Sequence, residues 1–143
     1  MNTKSITQSL TIRTGIAEVF TVLSDIENWN VWTPSITKIS FIGHSRFALG
    51  GKVRIIQPKL FPATWTIAEL IENKSFTWTT TLFGTSITAA HQLATCGQGT
   101  VVEIKMLYEG WLAKLLYRLS FPLTNQYITM EINGLKKVCE KEK

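Results

Sequence analysis

His91 and Glu131 are titratable side chains standing where the pattern of the chain calls for apolar ones. His91 sits in the alternating run Ile87, Ala89, His91, Leu93. Glu131 falls inside the apolar arc of a long helical stretch, about 80° round from Leu123 at roughly 100° per residue. An imidazole titrates near neutral pH, about 6.5 when unperturbed, which leaves His91 three roles. It is a core histidine satisfied by a neighbour, a donor or acceptor that orients a ligand, or an acid–base catalyst. A carboxylate within an apolar arc is costly unless paired or hydrogen-bonded. Glu131 therefore either reaches solvent at the helix flank or meets an interior partner, for which Arg54, His91 and Tyr108 are the candidates. A polar group lining a cavity in this way would anchor the head of an amphipathic ligand.

Other chemistries find little footing in the residues. His44 and His91 are the two histidines, too few for the usual zinc sites without remote acids or thiols, so no metal and no cofactor is expected. Gly97-x-Gly99 leads into a strand and reads as a hairpin turn, not a nucleotide fingerprint. The Gly-x-Ser-x-Gly pattern is absent. Neither Cys96 nor Cys139 has a base nearby in sequence, although catalysis does not require a local motif. These cysteines form no close pair and read as thiols of a reducing compartment, with one disulfide left open.

Strands and helices must position these groups, and their order is legible from period and punctuation. Lys4–Arg13 alternates as a strand, with Ile6, Gln8, Leu10 and Ile12 on one side. Thr14 or Gly15 can cap a short helix carrying Ile16, Val19, Phe20 and Leu23 on one face. A second helical turn covers Glu27–Trp32 and stops at Pro34. Strands follow at Lys38–Gly43, Lys52–Gln57, Thr64–Glu72, Ser75–Phe83, Thr85–Cys96 and Thr100–Glu109, with Pro58–Pro62 as a connection. Trp111–Lys143 is then a long amphipathic helix whose apolar arc holds Leu123, Tyr127, Ile128, Met130, Ile132, Leu135, Val138 and Cys139. Pro122 divides it into Trp111–Leu119 and Leu123–Cys139, by a kink or a restart. Gly134 in its interior implies close contact with the sheet or a ligand. One strand, two small helices, six strands and one long helix make a curved antiparallel meander, and only that helix is long enough to cover its concave face.

Bulk properties agree with one domain, residues 1–143. The chain carries 15 Lys and Arg against 10 Asp and Glu, a formal +5. That surplus is scattered except around Lys136, Lys137, Lys141 and Lys143, and solubility accounts for it, so nucleic acid is not an expected partner. No apolar run reaches the length of about 18 residues that a membrane span needs, and Met1–Ile12 lacks a signal-peptide core. A cytoplasmic protein without stable membrane insertion, monomeric or homodimeric, is the expectation.

The stretch Ala17–Pro34, AEVFTVLSDIENWNVWTP, resembles the opening of polyketide cyclase/dehydrase and lipid-transport-like proteins. These belong to the START/Bet v 1-like superfamily (SRPBCC). Val19-Phe20, Asp25, Trp29, Trp32 and Pro34 match the family's V-F or V-W pair, its Asp and its W-x-x-W-x-P. Softer likenesses are Gly50-Gly51 before a strand, Phe76-x-Trp78, His91-x-Leu93, Gly99-Thr100, and Gly134-Leu135-Lys136 with Glu140. The resemblance implies an α+β helix-grip fold, with seven antiparallel strands wrapped around the C-terminal helix, two short helices after the first strand and a cavity between.

The expected ligand-binding side chains are Trp29 and Trp32 at one end, then Trp78, Thr80, Leu82, Ala89, His91, Ile104, Met106 and Tyr108 on the strands. Leu123, Tyr127, Met130 and Glu131 join them from the helix. A small apolar or amphipathic molecule is the expected partner. Binding by a carrier or sensor is the leading reading. An enzyme resembling polyketide cyclases or dehydrases, using His91 or Glu131, and an interaction module with a filled core are the alternatives.

Overall fold

In a computed structural model, described for residues 3–141, the chain forms one seven-stranded antiparallel sheet and a long helix. Met1, Asn2, Glu142 and Lys143, the last counted above in the basic tail, lie outside the described residues. The longest hairpin joins β6 (Thr85–Cys96) to β7 (Gly99–Gly110), in register from Thr85 opposite Gly110 to Cys96 opposite Gly99. Burial alternates along both strands. Ile87, Ala89, His91 and Leu93 point inward, as do Val102, Ile104 and Tyr108. Such a period of two lets one face meet the core while the other is solvated.

The remaining strands are β1 (Thr3–Ile12), β2 (Lys38–Phe41), β3 (Lys52–Ile56), β4 (Ala63–Ile71) and β5 (Ser75–Leu82). Strands β2 to β7 form a meander, and β1 joins the far edge beside β7, giving the order β1-β7-β6-β5-β4-β3-β2. The register between β4 and β5 shifts between Ile67 and Glu69, and a bulge there bends and twists the sheet. Between β1 and β2 the chain makes α1 (Ile16–Ser24), a 3-10 turn (Ile26–Asn28) and α2 (Trp29–Trp32). Gly15 precedes α1 without a side-chain cap. Thr14 does not cap it, because its buried hydroxyl donates to the Cys139 carbonyl at 3.1 Å.

The C-terminal helix α3 (Ala113–Lys141) is continuous, with Pro122 inside it. The helix therefore does not restart at Pro122, which corrects that half of the expectation. Pro122 and Arg118 are both exposed, so water can take the Arg118 carbonyl that a proline leaves without its usual amide. The buried side of α3 also differs from the expected arc. Thr124, Tyr127, Ile128, Ile132, Leu135 and Cys139 are buried, while Leu123 and Met130 at the margin are half-buried. The polar Thr124 is admitted because its hydroxyl accepts a hydrogen bond from Tyr108 at 3.3 Å.

Polar straps fix α3 along the β1 edge. Gln8 donates to the Asn125 carbonyl and side chain and to Thr129 at 2.8–3.1 Å. Lys136 Nζ donates to the Thr11 carbonyl at 2.9 Å, and Glu140 accepts from the Arg13 amide at 2.8 Å. Gly134 meets neither sheet nor cavity: a Cβ there would come within 2.2 Å of the Trp32 carbonyl. The small residue is what lets α3 cross the end of α2.

Candidate functional site

Two adjoining hollows lie between α3 and the concave face. The outer one, of about 420 Å³, opens at the end of the molecule where β3 leads into β4 and β5 turns into β6. Gln57, Lys59, Leu60 and Phe61 of the β3–β4 loop and Leu82 and Phe83 of the β5–β6 turn frame it. Trp65, Ile87, Met106 and Tyr108 form its sheet wall, and Leu116, Ser120 and Thr124, one every four residues, its helix wall. The polar atoms of that helical stripe are largely occupied: Tyr108 Oη lies 3.3 Å from both Ser120 Oγ and Thr124 Oγ1, and Ser120 donates to the Leu116 carbonyl at 2.6 Å. The outer hollow is therefore apolar in effect, in keeping with small-molecule pockets generally.

The inner hollow is small, about 40 Å³, room for roughly one water or one polar head group. Gln57, Trp65 and Met106 border both hollows. Around the inner one stand Trp29, Trp78, Ala89, Ile104 and Ile128, together with His91 and Glu131. Trp29 is pinned by its indole N–H, which donates to the Leu23 carbonyl at 3.0 Å. Its ring packs at 5.2–6.0 Å on Trp32, Trp78, Phe76 and His91. These contacts make the aromatic segment at the end of α2 a rigid wall.

His91 and Glu131 meet here, at 3.0 Å between Nε2 and Oε1. Of the candidate partners of Glu131, His91 reaches it. Arg54 is exposed on β3, and the Tyr108 hydroxyl is engaged with Ser120 and Thr124. The imidazole is 1% exposed, stacked 4.4 Å from Phe76 at 4° between planes, and its Nδ1 faces the Phe76 carbonyl at 3.3 Å. Both ring nitrogens thus face oxygens, one of a strand carbonyl and one of a helix carboxyl, which fix the orientation of the ring. Glu131 itself is 15% exposed. His91 is almost wholly buried, so Glu131 is the more accessible member of the pair.

Of the residues expected to bind a ligand, Leu82, Met106 and Tyr108 border the outer hollow. Trp29, Trp78, Ala89, His91, Ile104, Met106 and Glu131 border the inner one. Trp32, Thr80, Leu123, Tyr127 and Met130 are not among the side chains bordering either. Trp32 packs on Trp29 and over Gly134, and Thr80 donates to the Thr64 carbonyl at 2.7 Å. Tyr127 is buried and donates its hydroxyl to the Pro58 carbonyl, tying the helix to the loop at the mouth. Burial pushes that phenol above its ordinary value. Sequence reasoning missed Leu60, Phe61 and Phe83, because turns are expected to be polar. The available signal was two large apolar residues between Pro58 and Pro62, and a Phe before Gly84. Among the described residues no group of acids, His and Cys could hold a metal ion, and no helix is long and apolar enough to cross a membrane.

A strongly bent antiparallel sheet closed by one long helix, with an apolar hollow between them, defines a helix-grip protein. Residues 3–140 match the family described as polyketide cyclase / dehydrase and lipid transport, and the chain belongs to that family. No curated protein matches it in sequence. Among solved structures it is similar to norcoclaurine synthase from Thalictrum flavum in complex with dopamine and hydroxybenzaldehyde. That match has 15% identity and a TM-score of 0.78, covering 99% of this chain and 88% of the synthase. Major latex-like protein 151 from Panax ginseng matches at 16% identity and a TM-score of 0.78, covering 97% and 99%. A START superfamily protein from Mycobacterium smegmatis matches at 12% identity and a TM-score of 0.73, covering 97% and 99%. At such identities the likeness is one of fold.

Proposed function

We propose that the protein binds a small, largely apolar molecule with an uncharged polar head, as a carrier or sensor. The body of the guest lies in the outer hollow and its head reaches Gln57 and Glu131. The observation that carries this reading is the outer hollow of about 420 Å³ between α3 and the sheet, adjoined by a small inner hollow that Glu131 borders. Burying about 300 Å² of apolar ligand would supply roughly 7 kcal/mol before association costs. A charged head would lose its hydration among the tryptophans around the inner hollow, which argues for an uncharged one. Met106 borders both hollows, and its unbranched side chain can yield to a guest.

Native mass spectrometry of protein taken from cell extract tests this directly, by the mass of any retained molecule. Displacement of a fluorescent fatty probe then gives affinities for alcohols, carboxylates and amines of one chain length. The alcohol should bind most tightly, and Met106→Trp, which fills the common wall, should weaken all three. An unchanged dissociation constant in folded Met106→Trp would count against the location.

The hydrogen-bonded pair also favours a second reading, an enzyme in which Glu131 moves a proton at the guest's head while His91 holds the carboxyl in place. One structural neighbour is a synthase, so the fold has room for catalysis. Ligand recovered chemically unaltered supports the carrier, whereas a product that disappears in Glu131→Gln supports the enzyme.

A further inference from the structure

Apart from Val31, Ile42, Leu49 and Ile71, the large apolar side chains left in water among the described residues lie at the mouth of the outer hollow or along the start of α3 and just before it. Phe61 is 70% exposed, Phe83 60%, Trp111 74%, Leu115 50% and Leu119 70%. Phe61 and Phe83 adjoin: their rings lie 6.2 Å apart, edge to face. The Trp111 indole lies over Gly84, so close that a Cβ there would be 2.3 Å from its Nε1. Leu115 and Leu119 are one turn apart at the start of α3.

Phe83 is unusual twice over. It holds a positive φ of 48° in the two-residue turn with Gly84 (φ 69°), a conformation that favours Asn-Gly and disfavours a bulky residue. The exposed ring gains little from the fold there, and strain of this kind is a pointer to function.

Cations alternate with this apolar row. Lys114 and Arg118 precede Leu115 and Leu119, and with Lys4, Tyr117, Phe121 and Pro122 they line a third, open hollow of about 320 Å³. Lys4 Nζ stands 5.9 Å above the Tyr117 ring. Lys59 lies in the mouth loop and Lys38 starts β2 at the same end. Glu109, opposite Thr3, is the acid nearby. Among the described residues none of these cations is in an ion pair.

We propose that this end of the molecule docks reversibly on an anionic lipid bilayer, with Phe61, Phe83, Trp111, Leu115 and Leu119 entering the interface. Lys4, Lys114 and Arg118 meet the acidic head groups. Aromatic and aliphatic tips rimmed by long basic side chains suit that boundary, since the charged ends remain among the head groups. Charge complementarity selects the lipid surface over a second copy of this chain, which would set the same cations against one another. The hollow's mouth then opens towards the bilayer. The inference stands on the exposed rim and does not require the ligand proposed above.

Flotation with vesicles tests it, comparing pure phosphatidylcholine with vesicles in which roughly a quarter of the lipid is phosphatidylglycerol. The wild-type chain should partition onto the anionic vesicles, and about 0.5 M salt should release most of it. Phe83→Asn restores the preferred turn dipeptide, so it should keep or raise the melting temperature while weakening vesicle binding about tenfold. Lys114→Glu with Arg118→Glu should abolish the preference for anionic vesicles. The proposal is overturned by a folded wild-type chain that ignores both vesicle types, or by binding that neither variant changes. A homodimer that Phe83→Asn splits would overturn it equally, since the face would then belong to a second copy.

Discussion

His91 illustrates how much a single buried polar side chain can organise. Its ring fills the space between Phe76, Trp29 and Trp78, and its two nitrogens satisfy a strand carbonyl and a helix carboxyl at once. His91→Ala should remove the stacking, leave Glu131 without its partner and open a cavity, costing about 3 kcal/mol by urea denaturation. A loss well under 1 kcal/mol would show that the pair is incidental to the core. Glu131→Gln retains an acceptor and should cost less than His91→Ala. Tyr127→Phe is a milder case: losing the bond to the Pro58 carbonyl should cost about 1 kcal/mol and loosen the mouth loop. Hydrogen exchange of residues 59–61 reads that loosening. Protection unchanged from wild type would mean that the loop is held by other contacts.

The helix α3 shows local preference overruled by contact. An alanine at position 134 ought to stabilise a helix by about 1 kcal/mol relative to glycine. Here the added methyl would strike the backbone carbonyl of Trp32 at 2.2 Å, and backbone cannot step aside as a flexible side chain does. Gly134→Ala should therefore lower the melting temperature despite its better propensity, with an expected cost of about 2 kcal/mol. A rise in melting temperature would show that α2 can yield. Pro122 is the converse, a residue expected to interrupt the helix but tolerated because it lies on the watery side. Periodicity located both residues correctly along the helix. It could not say which of their neighbours would be water and which another backbone.

The molecule as a whole is closed by its two ends. Glu140 near the end of α3 accepts from the Arg13 amide after β1 and from Lys136 Nζ. The backbone hydrogen bond from Arg13 first, and Lys136 second, hold its carboxyl below the ordinary value of 4.5. A depressed carboxyl stabilises the fold above the unfolded-chain value, and that contribution is lost as pH falls through the folded one. Glu140→Gln should thus lower the urea midpoint at neutral pH, and the gap to wild type should close in acid below pH 4.5. A gap of constant size from neutral to acid would sink this account.

Several properties of the protein follow from the sequence taken alone. Alternation with period two defined every strand to within a residue or two, as for Thr85–Cys96, because half-buried strands force that period on their side chains. The VF…D…WxxWxP run placed the chain in its family, and the apolar arc containing Glu131 restricted its partners to three, of which His91 is the one in contact. The tertiary structure decided which inward-facing residues border empty space and which merely pack. Tyr127 is the same residue type as Tyr108, and Thr80 shares a strand face with Leu82, yet both stand outside the hollows. A cavity is the volume left over when distant segments meet, and no local pattern records a volume. The exposed Phe61 and Phe83 became a shared rim for the same reason: they are 22 positions apart in the chain, and only the curved sheet brings their rings together.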